Sequence, residues 1–154
     1  MAYLSRLTTP FNGMDRIYNV SERIGPHLEC FNNPTDVELV QFLLLSAISR
    51  TNVPGTEGIA TPSVNGRYDA ITGFWIYRFQ DGMKRHGVHT VVDGVVSSAR
   101  SVSFGSHDYT IVWLNSQYLG AYGEQAFLGL PQNTQLSSDL RSNLTSQHPQ
   151  ALHR

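Results

Sequence analysis

The sequence has little cysteine, little charge and no cluster of basic residues. Cys30 is the only cysteine among 154 residues, which excludes an intrachain disulfide and a thiolate metal cluster. Only 15% of the residues are Asp, Glu, Lys or Arg, against about a quarter in ordinary globular domains. Because so thinly charged a surface is poorly protected against association, we expect part of it to be buried against partners. The net charge is −1 and no run of Lys or Arg is present, which argues against nucleic-acid binding.

Long apolar runs are also missing. The longest near-apolar stretch, residues 37–48, is interrupted by polar side chains and is too short to cross a bilayer. Residues 1–15 lack the apolar core of a secretory signal peptide. The sequence therefore predicts no membrane span, and it predicts that any export occurs without a signal peptide.

Motifs of catalytic chemistry are absent as well. The chain has neither a phosphate-binding glycine loop nor a nucleophile elbow. The Ser-His-Asp at 106–108 is consecutive, whereas a catalytic triad is assembled from separated positions. His86 and His89 have a spacing that suits metal chelation, but Gly87 breaks the helix that would orient them. We therefore predict that the protein is not an enzyme and has no metal site or cofactor.

Three stretches have the apolar spacing of helices. Asn33, Pro34 and Asp36 form a strong start signal, because they suit the cap, the first position and the positive end of the helix dipole. The spacing predicts helices over about 34–49 and 70–83, and a third helix capped by Ser106. The residues predicted to form the helical core are Val40, Leu44, Ile76, Phe79, Ile111 and Leu114.

The two ends of the chain show no sustained period. Residues 1–33 predict an extended arm that packs on something, since neither a period of 2 nor one of 3.6 persists. From residue 121 onward the chain is rich in Gln, Asn and Ser, but Leu136, Leu140 and Leu144 predict a short docking helix after Ser137 or Ser138. We expect the apolar residues of these arms to lack intrachain partners and to bury themselves on neighbouring subunits.

Two short segments echo each other ahead of the second and third helices. Val-Asn-Gly at 64–66 and Val-Asp-Gly at 92–94 lie 28 residues apart. The first helix reads Asp-Val-Glu-Leu-Val-Gln-Phe-Leu-Leu (36–44), the second has Thr72 and ends in Phe79-Gln80, and the third contains Thr-Ile-Val-Trp-Leu-Asn (110–115). In this order, residues 24–120 resemble the peptidoglycan-binding domain family, which consists of small three-helix modules appended to cell-wall hydrolases and to phage or secreted proteins.

The resemblance implies two sets of functional positions. A glycine after Asp or Asn permits a left-handed turn, Phe79 would fill the core, and the Gln80 amide would bind a neighbouring backbone. The residues expected to act as turn and scaffold are Asn65, Gly66, Asp93, Gly94, Phe79 and Gln80. If a glycan site exists, its expected residues are Tyr68 and Tyr77 for stacking and Arg67 and Arg78 as hydrogen-bond donors. Asn65 stands where the family usually has an acid.

The predicted fold class is mainly α: a small three-helix peptidoglycan-binding-like domain at 24–120 between long irregular arms at 1–23 and 121–154. The first functional hypothesis is a non-catalytic structural or assembly protein, such as a phage virion or tail component. It would sit in a virion or other extracellular assembly, be made in the cytoplasm, and contact other subunits through 1–33 and 121–154. The alternative is a cell-wall module that binds peptidoglycan glycan or peptide and targets a partner hydrolase. The sequence does not separate the two.

Overall fold

The computed structural model describes residues 1–50, 55–100 and 109–145, and these residues are mainly α-helical. Two strands come first, β1 (Tyr3–Phe11) and β2 (Met14–Asn19), followed by three longer helices, α1 (Pro34–Arg50), α2 (Ala70–Arg85) and α3 (Thr110–Tyr122). The described part of the chain ends with α4 (Glu124–Leu128), a 3-10 turn (Leu130–Gln132) and α5 (Ser138–Leu144). α1 packs against α2 and α3, and α3 also contacts β2 and α4.

The three predicted helices are confirmed, and their ends agree with the local sequence. Asp69 caps α2, because its carboxylate accepts hydrogen bonds from both the backbone N–H and the hydroxyl of Thr72. These bonds lower the pKa of the Asp69 carboxyl. Gly87, with a φ of +88°, comes just after the end of α2. Tyr109 occupies the N-cap of α3, and the predicted cap Ser106 lies outside the described residues.

A β-hairpin occupies most of residues 1–23, so the prediction of an irregular arm there is wrong. The two strands pair antiparallel, with Tyr3 opposite Asn19. Asn12 and Gly13 form the turn with φ values of 49° and 82°, and this residue pair is the one that a two-residue hairpin turn favours. The N-terminal segment therefore contributes regular structure to the fold.

Tyr18 fastens the hairpin to the helices. Its backbone N–H donates to Oδ1 of Asn115 (2.8 Å), and Nδ2 of Asn115 donates to the Tyr18 carbonyl (2.9 Å). Its hydroxyl donates to the carbonyl of Phe127 (2.6 Å), and burial raises the pKa of Tyr18 to about 12. Residues 17–19, the C-terminal half of β2, are buried in succession, so this half is covered on both faces. A strand buried in this way has no alternation of period 2, which is why the sequence pattern did not reveal it.

The C-terminal segment is docked on α1. Ser137 caps α5, as its hydroxyl accepts the N–H of Leu140 (3.1 Å), so the predicted short helix is confirmed. The carboxylate of Glu38 accepts the N–H (2.7 Å) and the hydroxyl (2.6 Å) of Ser137. The expectation that the arm residues lack intrachain partners is wrong for most of them. Buried against the rest of the chain are Leu7, Phe127, Leu130, Leu136, Leu140 and Leu144.

The core contains the predicted positions with one exception. Fully buried are Val40, Leu44, Ile76, Ile111 and Leu114. Phe79, expected inside the core, is only partly buried and packs against its edge. One continuous apolar cluster contains residues of the hairpin, of the three long helices and of the C-terminal segment.

Candidate binding site

Two buried glutamine side chains hold the two turns that echo each other in the sequence. Gln41 of α1 is fully buried, and its Oε1 accepts the backbone N–H groups of Asn65 (3.0 Å) and Gly66 (2.9 Å). Its Nε2 donates to the carbonyl of Arg67 (2.8 Å) and to the hydroxyl of Thr72 (3.0 Å). One side-chain amide thereby joins α1, the turn at 64–66 and the first turn of α2.

Gln80 repeats this arrangement one helix later. Its Oε1 accepts the N–H groups of Asp93 (3.2 Å) and Gly94 (2.8 Å). Its Nε2 donates to the carbonyl of Val95 (2.9 Å) and to the hydroxyl of Thr110 (3.0 Å). The prediction that the Gln80 amide binds a neighbouring backbone is confirmed. We call each unit, composed of a glutamine, an Asx-Gly turn and a threonine, a glutamine clamp.

The Asx-Gly pairs give each clamp its turn. Oδ1 of Asn65 and Oδ1 of Asp93 each accept the backbone N–H two residues further on (2.9 Å in both). Asparagine at 65 therefore forms the same turn as the acid at 93. Gly66 has a φ of +76°, and a Cβ there would lie 2.9 Å from the carbonyl oxygen of Pro34. Both the backbone conformation and the close approach of α1 require glycine at this position.

The residues predicted to bind a ligand lie around α2. The Tyr68 hydroxyl packs over Gly73, where a Cβ would collide with the hydroxyl oxygen. Tyr77 lies one helical turn beyond Gly73 on the same face of α2. Tyr77 is 51% exposed, whereas Tyr68 is partly buried. Arg67 is exposed in the first clamp's turn. Arg78 is partly buried, has an interaction of its own, and lies about 100° around the helix from Tyr77.

The loop at residues 25–33 presents two apolar side chains to solvent. Leu28 is fully exposed and Phe31 is 72% exposed. Oδ1 of Asn32 accepts the N–H of Gly25 (2.9 Å), and Nδ2 of Asn32 donates to the Gly25 carbonyl (3.0 Å). This amide closes the loop on itself and fixes the backbone that carries both side chains. Neither residue stands out in the sequence as part of a site, since isolated apolar residues carry no pattern.

A polar pocket of about 360 Å³ opens beside this loop. The Asn19 amide accepts the N–H (3.1 Å) and donates to the carbonyl (2.9 Å) of Ala99, while Ile24 and Val96 exchange two backbone hydrogen bonds (3.0 and 2.9 Å). Between these two pairs, four residues lie on one segment and two on the other, and residues of both segments line the pocket. The pocket is lined by Ser21, Glu22, Arg23, Glu29, Ser97, Ser98, Arg100 and Tyr109.

The walls of the pocket are held by the fold. The buried carboxylate of Asp36 accepts the N–H (3.1 Å) and hydroxyl (3.0 Å) of Ser21 and the N–H of Glu22 (3.0 Å). Burial raises the pKa of Asp36, and the two N–H donors oppose that rise. On the opposite wall, the hydroxyls of Tyr3 and Ser98 are hydrogen-bonded (3.3 Å). The pocket is therefore shaped before any ligand arrives.

His86 lies at the end of α2, where its ring contacts the helix backbone. It is the C-cap of that helix, and its Nδ1 lies 2.8 Å from the carbonyl oxygen of Gly82. Within residues 1–50, 55–100 and 109–145, no three His, Cys, Asp or Glu side chains are grouped so that they could hold a metal ion. In the same ranges, no helix combines the length and the apolar composition that crossing a membrane requires.

Comparison with protein-family models, with curated proteins and with solved structures finds no match to this chain. The geometry defines a mainly α-helical domain in which two glutamine clamps join three consecutive helices. An N-terminal hairpin and a C-terminal helix pack against this three-helix unit.

Proposed function

We propose that this protein is a non-catalytic subunit of a larger assembly, such as a phage virion or tail component, built on a core similar to the peptidoglycan-binding domains. The two glutamine clamps support the likeness, because they use the Gln, Asx-Gly and Thr positions that carry it in the sequence. The non-catalytic role is supported by the buried polar side chains, which bind groups of the same chain. Among them are Asp36, Glu38, Gln41, Gln80 and Asn115.

The assembly role depends on one observation, the exposure of the Leu28 and Phe31 side chains to solvent. Exposed apolar patches mark sites where another protein binds, and Leu28 and Phe31, three residues apart, are the two most exposed large apolar side chains of the described residues. The Asn32 amide already fixes the loop that carries them, so binding would order little additional backbone. The low fraction of charged residues is consistent with a surface that is covered in part. Most apolar residues of the two ends pack within the chain, so we assign the interface to the loop at 25–33.

The test replaces both side chains and follows incorporation into the native particle. The double variant Leu28→Ser with Phe31→Ser should keep the wild-type melting temperature and should fail to co-sediment with the particle. Val91→Ser is the matched control, because Val91 (71% exposed) is as exposed as Phe31 and lies outside the loop. A double variant that co-sediments like the wild type would rule out this interface. Absence of the wild-type protein from any sedimenting particle would rule out the assembly role itself.

A second candidate function, binding of peptidoglycan glycan or peptide beside a partner hydrolase, is favoured by the face of α2. Tyr68 and Tyr77 share that face, and the exposed ring of Tyr77 is available to stack on a sugar ring. Tyr77→Ser should then reduce the fraction of protein that pellets with purified cell-wall sacculi, while Val91→Ser and the loop double variant should pellet normally. Pelleting that is no better than that of an unrelated protein of similar size would exclude this function.

A further inference from the structure

Four charged side chains line the pocket without pairing with one another. Arg23 and Arg100 contribute guanidinium groups, and Glu22 and Glu29 contribute carboxylates. Within the described residues, ion pairs join Asp15 to Arg16 and Asp81 to Arg85 outside the pocket. At the pocket wall, Asp36 pairs with the amino group of Met1, which also donates to the Ser21 hydroxyl, and this pair adds no net charge. We propose that this pocket binds a small zwitterionic ligand that carries both an ammonium and a carboxylate group, as free amino acids and short peptides do.

The balance of charge in the pocket selects for a ligand of both signs. A simple anion that approaches the two guanidinium groups is repelled by the two carboxylates. A simple cation that approaches the carboxylates is repelled by the guanidinium groups. A zwitterion can satisfy both kinds of group at once with charge-assisted hydrogen bonds. Arg100 donates to the carbonyl of Ser21 (3.3 Å), and the guanidinium has further N–H donors for a ligand.

Size and preorganisation also fit a small polar ligand. The volume of about 360 Å³ is at the lower end of the range of about 300–1,000 Å³ found for small-molecule sites. Ser97 and Tyr109 add neutral hydroxyl groups to the lining. Asp36 and the Asn19–Ala99 and Ile24–Val96 pairs already fix the backbone of the walls, so binding would order mainly the exposed charged side chains. This proposal is independent of the assembly role, which depends on the neighbouring loop.

Titrations monitored by amide chemical shifts test the proposal with three small glycine derivatives that differ in charge. Glycylglycine carries both charges, N-acetylglycine carries only the carboxylate, and glycinamide carries only the ammonium. Glycylglycine should shift the amide signals of Ser21, Glu22 and Ser98 and bind about tenfold more tightly than either single-charge probe, the loss expected for one charge-assisted contact. L-Alanine is a fourth probe. Tighter binding of L-alanine than of glycylglycine would indicate a free amino acid as the ligand, and the opposite order would indicate a peptide.

Charge-neutral variants show whether the ligand's two charges meet the residues named. Glu29→Gln should weaken glycylglycine binding and strengthen N-acetylglycine binding, because it removes a repulsion for the anion. Arg23→Gln should weaken glycylglycine binding and strengthen glycinamide binding. Arg6→Gln and Glu57→Gln, both exposed outside the pocket, are the controls and should change none of these affinities. The proposal is overturned if glycylglycine shifts no pocket amide, if the single-charge probes bind as well, or if the pocket variants change no affinity or change all three affinities alike.

Discussion

Replacing Gln80 by methionine tests whether the glutamine clamp stabilises the fold. Gln80 is buried, and the substitution keeps its length while it removes the hydrogen bonds to Asp93, Gly94, Val95 and Thr110. Two of these bonds, those to Gly94 and to the hydroxyl of Thr110, are themselves buried. A buried polar group left without a partner costs about 1–3 kcal/mol, and a part-exposed one costs less because water can replace the lost bond.

The expected loss for Gln80→Met is about 3–4 kcal/mol of the free energy of unfolding, after the gain from burying an apolar side chain is subtracted. This is a large part of the roughly 5–15 kcal/mol available to a domain. Urea denaturation monitored by circular dichroism measures it, with Gln125→Met on the exposed side of α4 as the control. Gln41→Met should cost a comparable amount. A loss below about 1 kcal/mol for Gln80→Met would refute the structural role of the clamp.

Gln80→Glu adds a dependence on pH whose sign is set by the geometry. The variant keeps the acceptor Oε1 but turns a second carboxylate oxygen toward the carbonyl of Val95, which lies 2.9 Å from Nε2 of the native glutamine. Only the protonated acid can donate there, so folding should raise the pKa of the introduced carboxyl above the unperturbed value of about 4.3. The variant should therefore be closest to the wild type below about pH 4 and lose stability as the pH rises toward 7.

Further substitutions at four sites have defined outcomes. Gly66→Ala should lower the free energy of unfolding by about 1–3 kcal/mol in urea denaturation, because of the positive φ and the contact with Pro34. Gly82 lies inside α2 with open space where a Cβ would be, so Gly82→Ala should raise the free energy of unfolding by about 0.5–1 kcal/mol. Leu140→Ala should cost about 2–5 kcal/mol, since the side chain is fully buried, and a loss below about 1 kcal/mol would show that the C-terminal segment is loose. The pKa of Tyr18 is raised from 10.0 to about 12, so the stability it contributes is complete below pH 10 and is lost as the pH rises. Tyr18→Phe should reduce that alkaline loss in melts between about pH 10 and 12.

The helices and one clamp could be predicted from the sequence because their signals are local. Asn33, Gly87 and the apolar spacing mark the helices, and the two Asx-Gly pairs mark the turns ahead of α2 and α3. The role of Gln80 could be inferred from its position after Phe79, but the equal role of Gln41 did not stand out within a nearly continuous apolar run. The signal that could have revealed the role of Gln41 is a polar amide in the middle of an apolar run, because a glutamine buried there needs hydrogen-bond partners.

The hairpin, the docking of the C-terminal segment and the pocket depend on contacts between residues far apart in sequence. Asn12-Gly13 is a strong hairpin signal, but burial of both faces in the C-terminal half of β2 removed the alternation that would have supported it. The pocket depends on Asn19 meeting Ala99, a pairing of residues that no short-range pattern encodes. An amide that binds the N–H and the carbonyl of one distant residue is visible only in three dimensions.

The two clamps differ in the length of chain that they close, and this difference shows where the protein can change in evolution. Gln41 and Asn65 are 24 residues apart, whereas Gln80 and Asp93 are 13 apart, yet the hydrogen bonds have equivalent partners and similar lengths. Of the eleven extra residues, four lengthen α1 beyond Gln41 and seven fall between the end of α1 at Arg50 and the turn. Since the closing entropy of a loop grows only slowly with its length, insertions and deletions there leave the clamp intact. That connection is where related chains are free to diverge in length, and where a tag or a foreign peptide can be grafted.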